Sequence, residues 1–228
     1  LHDFDIEWFL QYYYTTNLYY HIPMELASLV FFFIIIVPSA IIHEYMHGFV
    51  ANYFGDPTAK YAGRLTLNPL AHIDLWGTIL MPITLFLFSG GKFLFAYAKP
   101  VPVNPLFLRG KYAGVIVAAS GPLSNFATAA ILGLLIRLLP PSTFATVLGL
   151  IVYANVLLGV FNLVPFPPLD GAKILFPLLP ASAEPLKLFM ERYGFFILLF
   201  FLFFVGFHWV FPLITAIYYL FTGAPLPL

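Results

Sequence analysis

The sequence predicts an all-α, polytopic membrane protein with about four to six transmembrane segments. Hydrophobic residues make up 61% of the 228 residues and charged residues only 9%, whereas soluble domains usually carry about 25% charged residues. The mean hydropathy is +0.93. Because so few charges cannot cover a water-facing surface, most of the outer surface must face lipid. The 27 Phe suit the hydrocarbon, and the 14 Tyr suit the headgroup boundary.

Two further features of the composition limit partners and cofactors. The chain contains no cysteine, so any metal must be bound by nitrogen and oxygen atoms. The formal net charge is zero and no basic run is present, which argues against nucleic acid as a partner. The lipid bilayer is the partner that the composition does predict.

The N-terminal part begins at the membrane surface and then enters the bilayer. Residues 3–21 place Trp8 and several tyrosines among short polar gaps, which is typical of a segment at the interface. From Met24 to Asn52 the sequence is apolar apart from Pro38 and the letters HEYMH. A helix over this stretch is about 42 Å long, enough to cross with a tilt.

The remaining elements alternate between short and long apolar stretches. The alternation in 61–67 predicts a short strand. Residues 75–89 are apolar but short, with Pro82 in the middle. Better transmembrane candidates are 112–138, 143–164 and the Phe-rich 191–222. The prolines between Pro165 and Pro180 exclude a regular helix there.

The letters HEYMH place three ionisable residues on one helical turn. His43 and His47 are four residues apart, so both imidazoles can reach one ion, and Glu44 is placed to act on a water at that ion. In a soluble helix this short pattern can arise by chance. Inside an apolar span each uncompensated ionisable group costs about 2.5–3.5 kcal/mol, which favours a function.

A catalytic zinc site needs a third protein ligand and an open position. Asp170 lies in the apolar, proline-interrupted stretch after 143–164. Irregular backbone at membrane depth persists only where it is buried in protein or lines a wet cavity. Asp170 is therefore the candidate third ligand, although Leu-Asp-Gly is also an ordinary turn sequence.

Together these motifs resemble a known family. HEYMH and the pattern N-x-x-P-x-P-x-L-D-G, from Asn162 to Gly171, resemble the two signatures of the site-2 proteases, which are intramembrane zinc metalloproteases. LTLNPLAHIDLWGT, YAKPVPVNP and ASGPLSNF resemble its compact bacterial and archaeal members, so the similarity covers 41–175. Two positions depart from the usual pattern: Lys173 follows Gly171-Ala172, where a Gly-Arg pair is familiar, and Trp76 stands where proline is frequent.

The resemblance implies a role for each residue of the two motifs. It implies that His43, His47 and Asp170 bind one Zn²⁺ per chain and that Glu44 is the catalytic base. It also implies that Asn162 lies beside the scissile carbonyl. From the residues alone, Asn162 could equally stabilise an oxyanion or make a helix-capping or interhelical hydrogen bond.

Other polar residues have plainer explanations. Gly121, Ser124 and Asn125 lie among alanines, and close helix packing explains them best. His72 and Asp74 could touch the site or bind a second ion, but a polar loop at the membrane boundary is favoured.

Charge asymmetry predicts the orientation. By the positive-inside rule, the HEYMH end of its helix faces the cytoplasm. The basic residues on that side are Lys60, Arg64, Lys92, Lys99, Arg109, Lys111, Lys173, Lys187 and Arg192. We therefore expect a multi-pass protein of a prokaryotic plasma membrane with its site toward the cytoplasm.

A parity argument concerns 75–98. To share one ion, the HEYMH span and 143–164 must run in the same direction, and 112–138 supplies one crossing back. Residues 75–98 must then cross twice or not at all. They are too short for two helices, so we expect a re-entrant loop or hairpin near the site.

These observations predict hydrolysis of peptide bonds in or next to transmembrane helices of membrane-protein substrates, with 61–67 or 92–97 holding the substrate extended. A metal-ion transporter using His43, His47 and Asp170 as transit ligands is the alternative, but it has no need of Glu44. An inactive relative is disfavoured because no ligand or base is missing. Association into a homo-oligomer is left open. The parts of one membrane domain, 1–228, are an interfacial segment (1–24), a catalytic core (25–175) and a C-terminal transmembrane region (176–228).

Overall fold

A computed structural model describes residues 24–90, 98–201, 204 and 207–226. In these residues every regular element is helical and none is a strand, which confirms the all-α prediction. The interfacial segment before Met24 and the strand-like 92–97 lie outside the described residues. The α-helices are α1 (Met24–Tyr53), α2 (Thr58–Tyr61), α3 (Met81–Phe88), α4 (Ala113–Ile136), α5 (Thr143–Asn162), α6 (Asp170–Leu175), α7 (Glu184–Phe201) and α8 (Phe207–Thr222).

Three helices in the described part of the chain are long and apolar enough to cross a membrane. They are Ile34–Tyr53 within α1, Ala113–Ile136 and Thr143–Asn162. Two shorter apolar helices are Leu75–Phe88 and Val210–Thr222. The protein is therefore an integral membrane protein, while the predicted total of four to six crossings stays a prediction.

The chain divides into two compact units. In the first, Leu1–Ile34, the described backbone from Met24 onward is helical. The second unit, Ile35–Leu228, contains the rest of α1, all the other helices and the residues discussed below.

The core of the second unit is formed by α4, α5 and α8. The short connection 137–142 makes α4 and α5 antiparallel neighbours, and α8 packs against both. The buried residues at their centre are mostly aliphatic: Ala129, Val152, Val156, Val160, Ile214 and Tyr218. Lipid tails are as apolar as these helix faces, so burying the faces against each other gives little hydrophobic gain. Close packing through small residues at the contacts therefore matters for the association of the helices.

Contacts between helices fix their directions. Ser39 of α1 touches Asn155 of α5, and His43, one turn later, touches Asp170, which follows α5. Within the second unit α1 and α5 therefore run in the same direction, as the parity argument requires. The antiparallel α4 supplies the return crossing.

The strand predicted for 61–67 is wrong. Tyr61 ends α2, and the next amides complete that helix, because Gly63 N donates to Lys60 O and Arg64 N to Ala59 O. These bonds use the amides that a strand would offer to a neighbour. The alternation arises from a helix end followed by a loop, without a described strand to pair with.

The stretch 75–88 is a single short helical rod. A π-helical turn, Leu75–Leu80, continues directly into α3, and Asp74 caps its start by accepting from Gly77 N. Fourteen residues rise at most about 21 Å, less than the hydrocarbon thickness of about 30 Å. That length suits a segment that does not cross completely, and the re-entrant geometry stays a prediction because 91–97 lie outside the described residues.

Candidate metal centre

His43 and His47 lie on the C-terminal half of α1 and face the same point. Their rings meet edge to face with centroids 4.7 Å apart, and their Nε2 atoms are 3.1 Å apart. Both side chains are buried. The i, i+4 spacing on one helix produces this arrangement directly.

Asp170 reaches the same point from a distant part of the chain, 123 residues after His47. It is the first residue of α6, is 5% exposed, and places Oδ2 3.0 Å from His43 Nε2 and 2.9 Å from His47 Nε2. A Cβ on Gly171 would lie 2.3 Å from Leu163 O, so glycine allows α6 to start tightly against the end of α5. The ligand atoms of His43, His47 and Asp170 all lie within 4.8 Å of one another.

Each of these three residues uses its other polar atom to contact the protein. His43 Nδ1 donates to Asn125 Oδ1 at 2.6 Å, and His47 Nδ1 donates to the carbonyl of Val117 at 2.7 Å. Asp170 Oδ1 accepts from Lys173 Nζ at 2.9 Å. Partners of this kind orient metal-bound histidines and carboxylates. They leave two Nε2 lone pairs and one carboxylate oxygen facing each other.

Three lone-pair donors about 3 Å apart repel one another unless a cation or protons lie between them. Two imidazole nitrogens and one carboxylate oxygen are ligands that zinc accepts in catalytic sites, where a fourth position stays open. The donor set therefore fits Zn²⁺.

Gly121 of α4 supplies the space beside this group. A Cβ at this position would lie 2.4 Å from His47 Nε2 and 2.6 Å from His43 Nε2. Those are the atoms that face the ion site, so any side chain on residue 121 would enter it. The absence of a side chain therefore shapes a cradle in which an ion fits.

Glu44 is half-buried beside the ligand group and takes no part in it. Its Oε2 accepts a hydrogen bond from the amide of Val101 at 2.8 Å. The segment that carries Val101 is itself held, since Lys99 N donates to His72 O and Arg64 donates to Pro100 O. The stretch KPVPVNP thus fixes one oxygen of the carboxylate, and among the described residues no hydrogen bond to the other oxygen is seen.

Asn162 lies at the last residue of α5 and is half-buried. Its amide Nδ2 donates to the carbonyl of Leu158, one turn earlier in the same helix, at 3.0 Å. The bond stays within α5, so it is not the interhelical hydrogen bond that was one of the explanations left open. A role beside the scissile carbonyl requires the side chain to turn away from Leu158.

His72 and Asp74 serve their loop. His72 Nε2 donates to Thr66 O at 2.8 Å, and Asp74 caps the π-helical turn. Neither belongs to a cluster of metal-ligating side chains in the part of the chain that the structure describes.

Sequence reasoning missed the partners of the ligands. Asn125 is explained there by packing, yet it holds the ring of His43 and contacts Asn155 of α5. The sequence did contain a signal for this role: an amide such as that of Asn125 is costly inside an apolar span unless it has a hydrogen-bond partner. Asn125 and Asn155 are polar residues within two different membrane-spanning helices, so each could have been predicted to be the other's partner.

A helical membrane protein with two histidines, a carboxylate and an adjacent glutamate around one buried point belongs to the class of membrane metallohydrolases. Comparisons with known proteins agree: the sequence profile described as Peptidase family M50 matches residues 139–205. YwhC of Bacillus subtilis, named as a candidate zinc metalloprotease, is 38% identical over 193 residues, which are 80% of this chain and 82% of YwhC.

More distant relatives carry the same kind of name. Rip2 of Mycolicibacterium smegmatis is 28% identical over 70% of this chain and 61% of its own length. MJ0611 of Methanocaldococcus jannaschii is 29% identical over 59% of this chain and 63% of its own length. The chain thus spans less than two thirds of these two relatives. No solved structure gives a significant match.

The chain belongs to peptidase family M50, the site-2 protease family, and is a zinc metalloprotease. The resemblance, the enzyme class and the zinc cofactor predicted from the sequence are thereby confirmed. None of the comparisons supports the metal-transporter alternative.

Proposed function

We propose that this metalloprotease hydrolyses peptide bonds in or next to the transmembrane helices of membrane-protein substrates. The observation that carries the proposal is the position of the ligand group. His43 and His47 lie within the membrane-spanning stretch Ile34–Tyr53 and are 5% and 7% exposed. A peptide bond must therefore come to the membrane-embedded site to be cleaved.

In this proposal His43 Nε2, His47 Nε2 and Asp170 Oδ2 hold one zinc ion per chain. When bound, zinc would polarise a scissile carbonyl and lower the pKa of a water molecule. Asn125, Val117 and Lys173 keep the three ligands oriented through the hydrogen bonds described above.

Glu44 acts as the general base and then as the acid. Its Oε2 is held by Val101 N, so the other carboxylate oxygen takes a proton from the attacking water. Glu44 then gives that proton to the nitrogen of the leaving amine, as general acid–base catalysis requires. The rigid Pro-Val-Pro stretch prevents the carboxylate from turning away.

Asn162 stabilises the developing oxyanion. Its Nδ2 must leave Leu158 O and donate to the carbonyl oxygen of the substrate, where negative charge accumulates. A rotation of this kind on substrate binding requires only a side-chain movement, because Asn162 ends its helix and is half-buried.

The substrate helix has to unwind before cleavage, since a helix satisfies its own carbonyls. Water has to reach the same point. In our proposal the protein lies in a prokaryotic plasma membrane and its site faces the cytoplasm, the side that the positive-inside rule favours for the basic loops, so water enters from that side.

The direct test uses purified protein and a fusion that carries one transmembrane helix between two soluble reporters. We expect cleavage within or next to that helix, mapped by mass spectrometry of the products. Cleavage should stop with the chelator o-phenanthroline and return on adding zinc, because the ligands release and rebind the metal. The non-chelating meta isomer is the control. Cleavage confined to the soluble reporters would refute the proposal.

The orientation has a separate prediction. In this cysteine-free chain, Ser89→Cys should react with a membrane-impermeant thiol reagent added from the cytoplasmic side, because in our proposal 75–98 does not cross the membrane and water reaches the site from that side. Ser142→Cys, in the turn between α4 and α5, should react from the opposite side only. Labelling of intact cells and inverted vesicles measures both. Reaction of Ser89→Cys only from outside would show that 75–88 crosses fully.

A further inference from the structure

A series of buried polar side chains connects His43 to α4 and α5. His43 Nδ1 donates to Asn125 Oδ1 at 2.6 Å, and Asn125 Nδ2 donates to Asn155 Oδ1 at 2.9 Å. Asn155 Nδ2 donates to Ser39 Oγ at 2.9 Å, and Ser39 Oγ donates to Ile35 O at 2.9 Å. Asn125, Asn155 and Ser39, which we call the polar relay, are 0%, 1% and 3% exposed.

Two main-chain carbonyls fix the orientation of the two amide side chains in the polar relay. Asn125 Nδ2 also meets Ser39 O at 3.2 Å, and Asn155 Nδ2 meets Ile151 O at 2.9 Å. A carbonyl oxygen only accepts hydrogen bonds, so the nitrogen of each amide must face it. Asn125 Oδ1 is then left to face His43. This oxygen also only accepts, so the proton lies on His43 Nδ1.

We infer that the polar relay is a positioning device that holds His43 as the Nδ1–H tautomer and keeps its Nε2 lone pair directed at the zinc site. The inference rests on the proposed function, in which His43 is a zinc ligand. A neutral imidazole carries one ring proton, and a partner at Nδ1 decides that the lone pair is at Nε2. Within the membrane no bulk water can replace that partner.

The two histidines are held differently. His47 donates to a main-chain carbonyl of Val117, which no side-chain substitution removes. His43 depends on a side-chain amide whose own orientation depends on Asn155 and Ser39. Zinc binding through His43 is therefore sensitive to substitutions on three helices. Substitution of Asn125 should have the largest effect, because Asn125 contacts the ring of His43 directly.

Packing alone does not require this arrangement. Leucine has the same branching and the same number of side-chain heavy atoms as asparagine and needs no partner inside an apolar span. A structural role would depend on the donors of Asn125, which join α4 to α5 and α1. The positioning role depends on its acceptor, which faces His43. Substituting Asn125 with aspartate separates the two, since aspartate keeps an acceptor and loses both donors.

The experiment measures zinc affinity of the full chain in detergent by competition with a chelator of known affinity. We expect Asn125→Leu to bind zinc about 10- to 100-fold more weakly, the range seen when such partners of metal ligands are removed. Asn125→Asp should retain at least wild-type affinity, because a carboxylate at Nδ1 orients the ring as well as an amide. Thr128→Val is the matched control, since among the described residues the Thr128 hydroxyl bonds only to Ser124 O of its own helix.

The outcomes separate this inference from the proposed function. If wild type binds no zinc, or Asp170→Ala binds as tightly as wild type, the proposed metal site itself fails. If those two behave as expected but Asn125→Leu keeps wild-type affinity, the positioning role is refuted. Equal losses in Asn125→Leu and Asn125→Asp would identify a structural role instead. Should Asn125→Leu not fold, Asn155→Ala carries the test: weaker zinc binding beside an unchanged Thr128→Val supports the relay, and unchanged binding overturns it.

Discussion

Replacing Glu44 with glutamine should abolish proteolysis while the protein keeps one zinc ion per chain. Glutamine has nearly the same shape, and its side-chain oxygen can still accept the hydrogen bond from Val101 N that now holds the carboxylate. Only the ability to take and return a proton is lost. General acid–base catalysis contributes about 10²- to 10⁴-fold, so we expect a loss of that size in turnover of a transmembrane substrate.

The measurement for Glu44→Gln combines cleavage kinetics with metal analysis of the same preparation. Glu191→Gln, at an exposed position of α7, removes a carboxylate of the same kind far along the chain and should cleave normally. Unimpaired cleavage by Glu44→Gln would remove the proposed base and with it the mechanism. Loss of zinc together with activity would instead make Glu44 part of the ligand group.

Asp170→Ala should lose both the metal and the activity. Asp170 Oδ2 is the one carboxylate oxygen of the ligand group, and without it two imidazoles remain. Two ligands are too few for tight zinc binding, and the negative charge that offsets the ion is gone as well. We expect substoichiometric zinc after dialysis and no detectable hydrolysis.

Asp74→Ala is the matched control for Asp170→Ala. Asp74 is also an aspartate at the start of a helical turn, where it accepts from Gly77 N. Losing that cap costs about 1 kcal/mol of stability and should leave zinc at one per chain. The opposite pattern in the two purified variants would make Asp74 the third ligand and would refute the proposed site.

The ligand group is the part of this protein that its sequence predicts best. His43 and His47 follow from helical spacing, and Asp170 follows from its place in an apolar, proline-interrupted stretch whose irregular backbone must be buried in protein or line a wet cavity. Neither argument requires knowing how helices pack. The all-α class follows equally from composition, because a lipid-facing chain must satisfy its backbone within each helix.

What the sequence does not predict depends on contacts between helices. The role of Asn125 is decided by which residues of α1 and α5 lie opposite it, and that register is invisible in any one helix. The bond from Val101 to Glu44 joins residues 57 apart and likewise leaves no local pattern. The strand predicted for 61–67 fails for the related reason that alternation alone does not supply a neighbouring strand to pair with.

The long separation of His43 and Asp170 along the chain would give a bound metal a structural effect in addition to its chemical one. His43 and Asp170 are 127 residues apart, so an ion shared by them acts as a cross-link that closes a long loop of the chain. Closing a loop of that length restricts the disordered states available to the chain and favours the assembled one. Bound as we propose, zinc would tie α1 to the start of α6, so a chain that loses its metal would lose a cross-link between these helices as well as its activity.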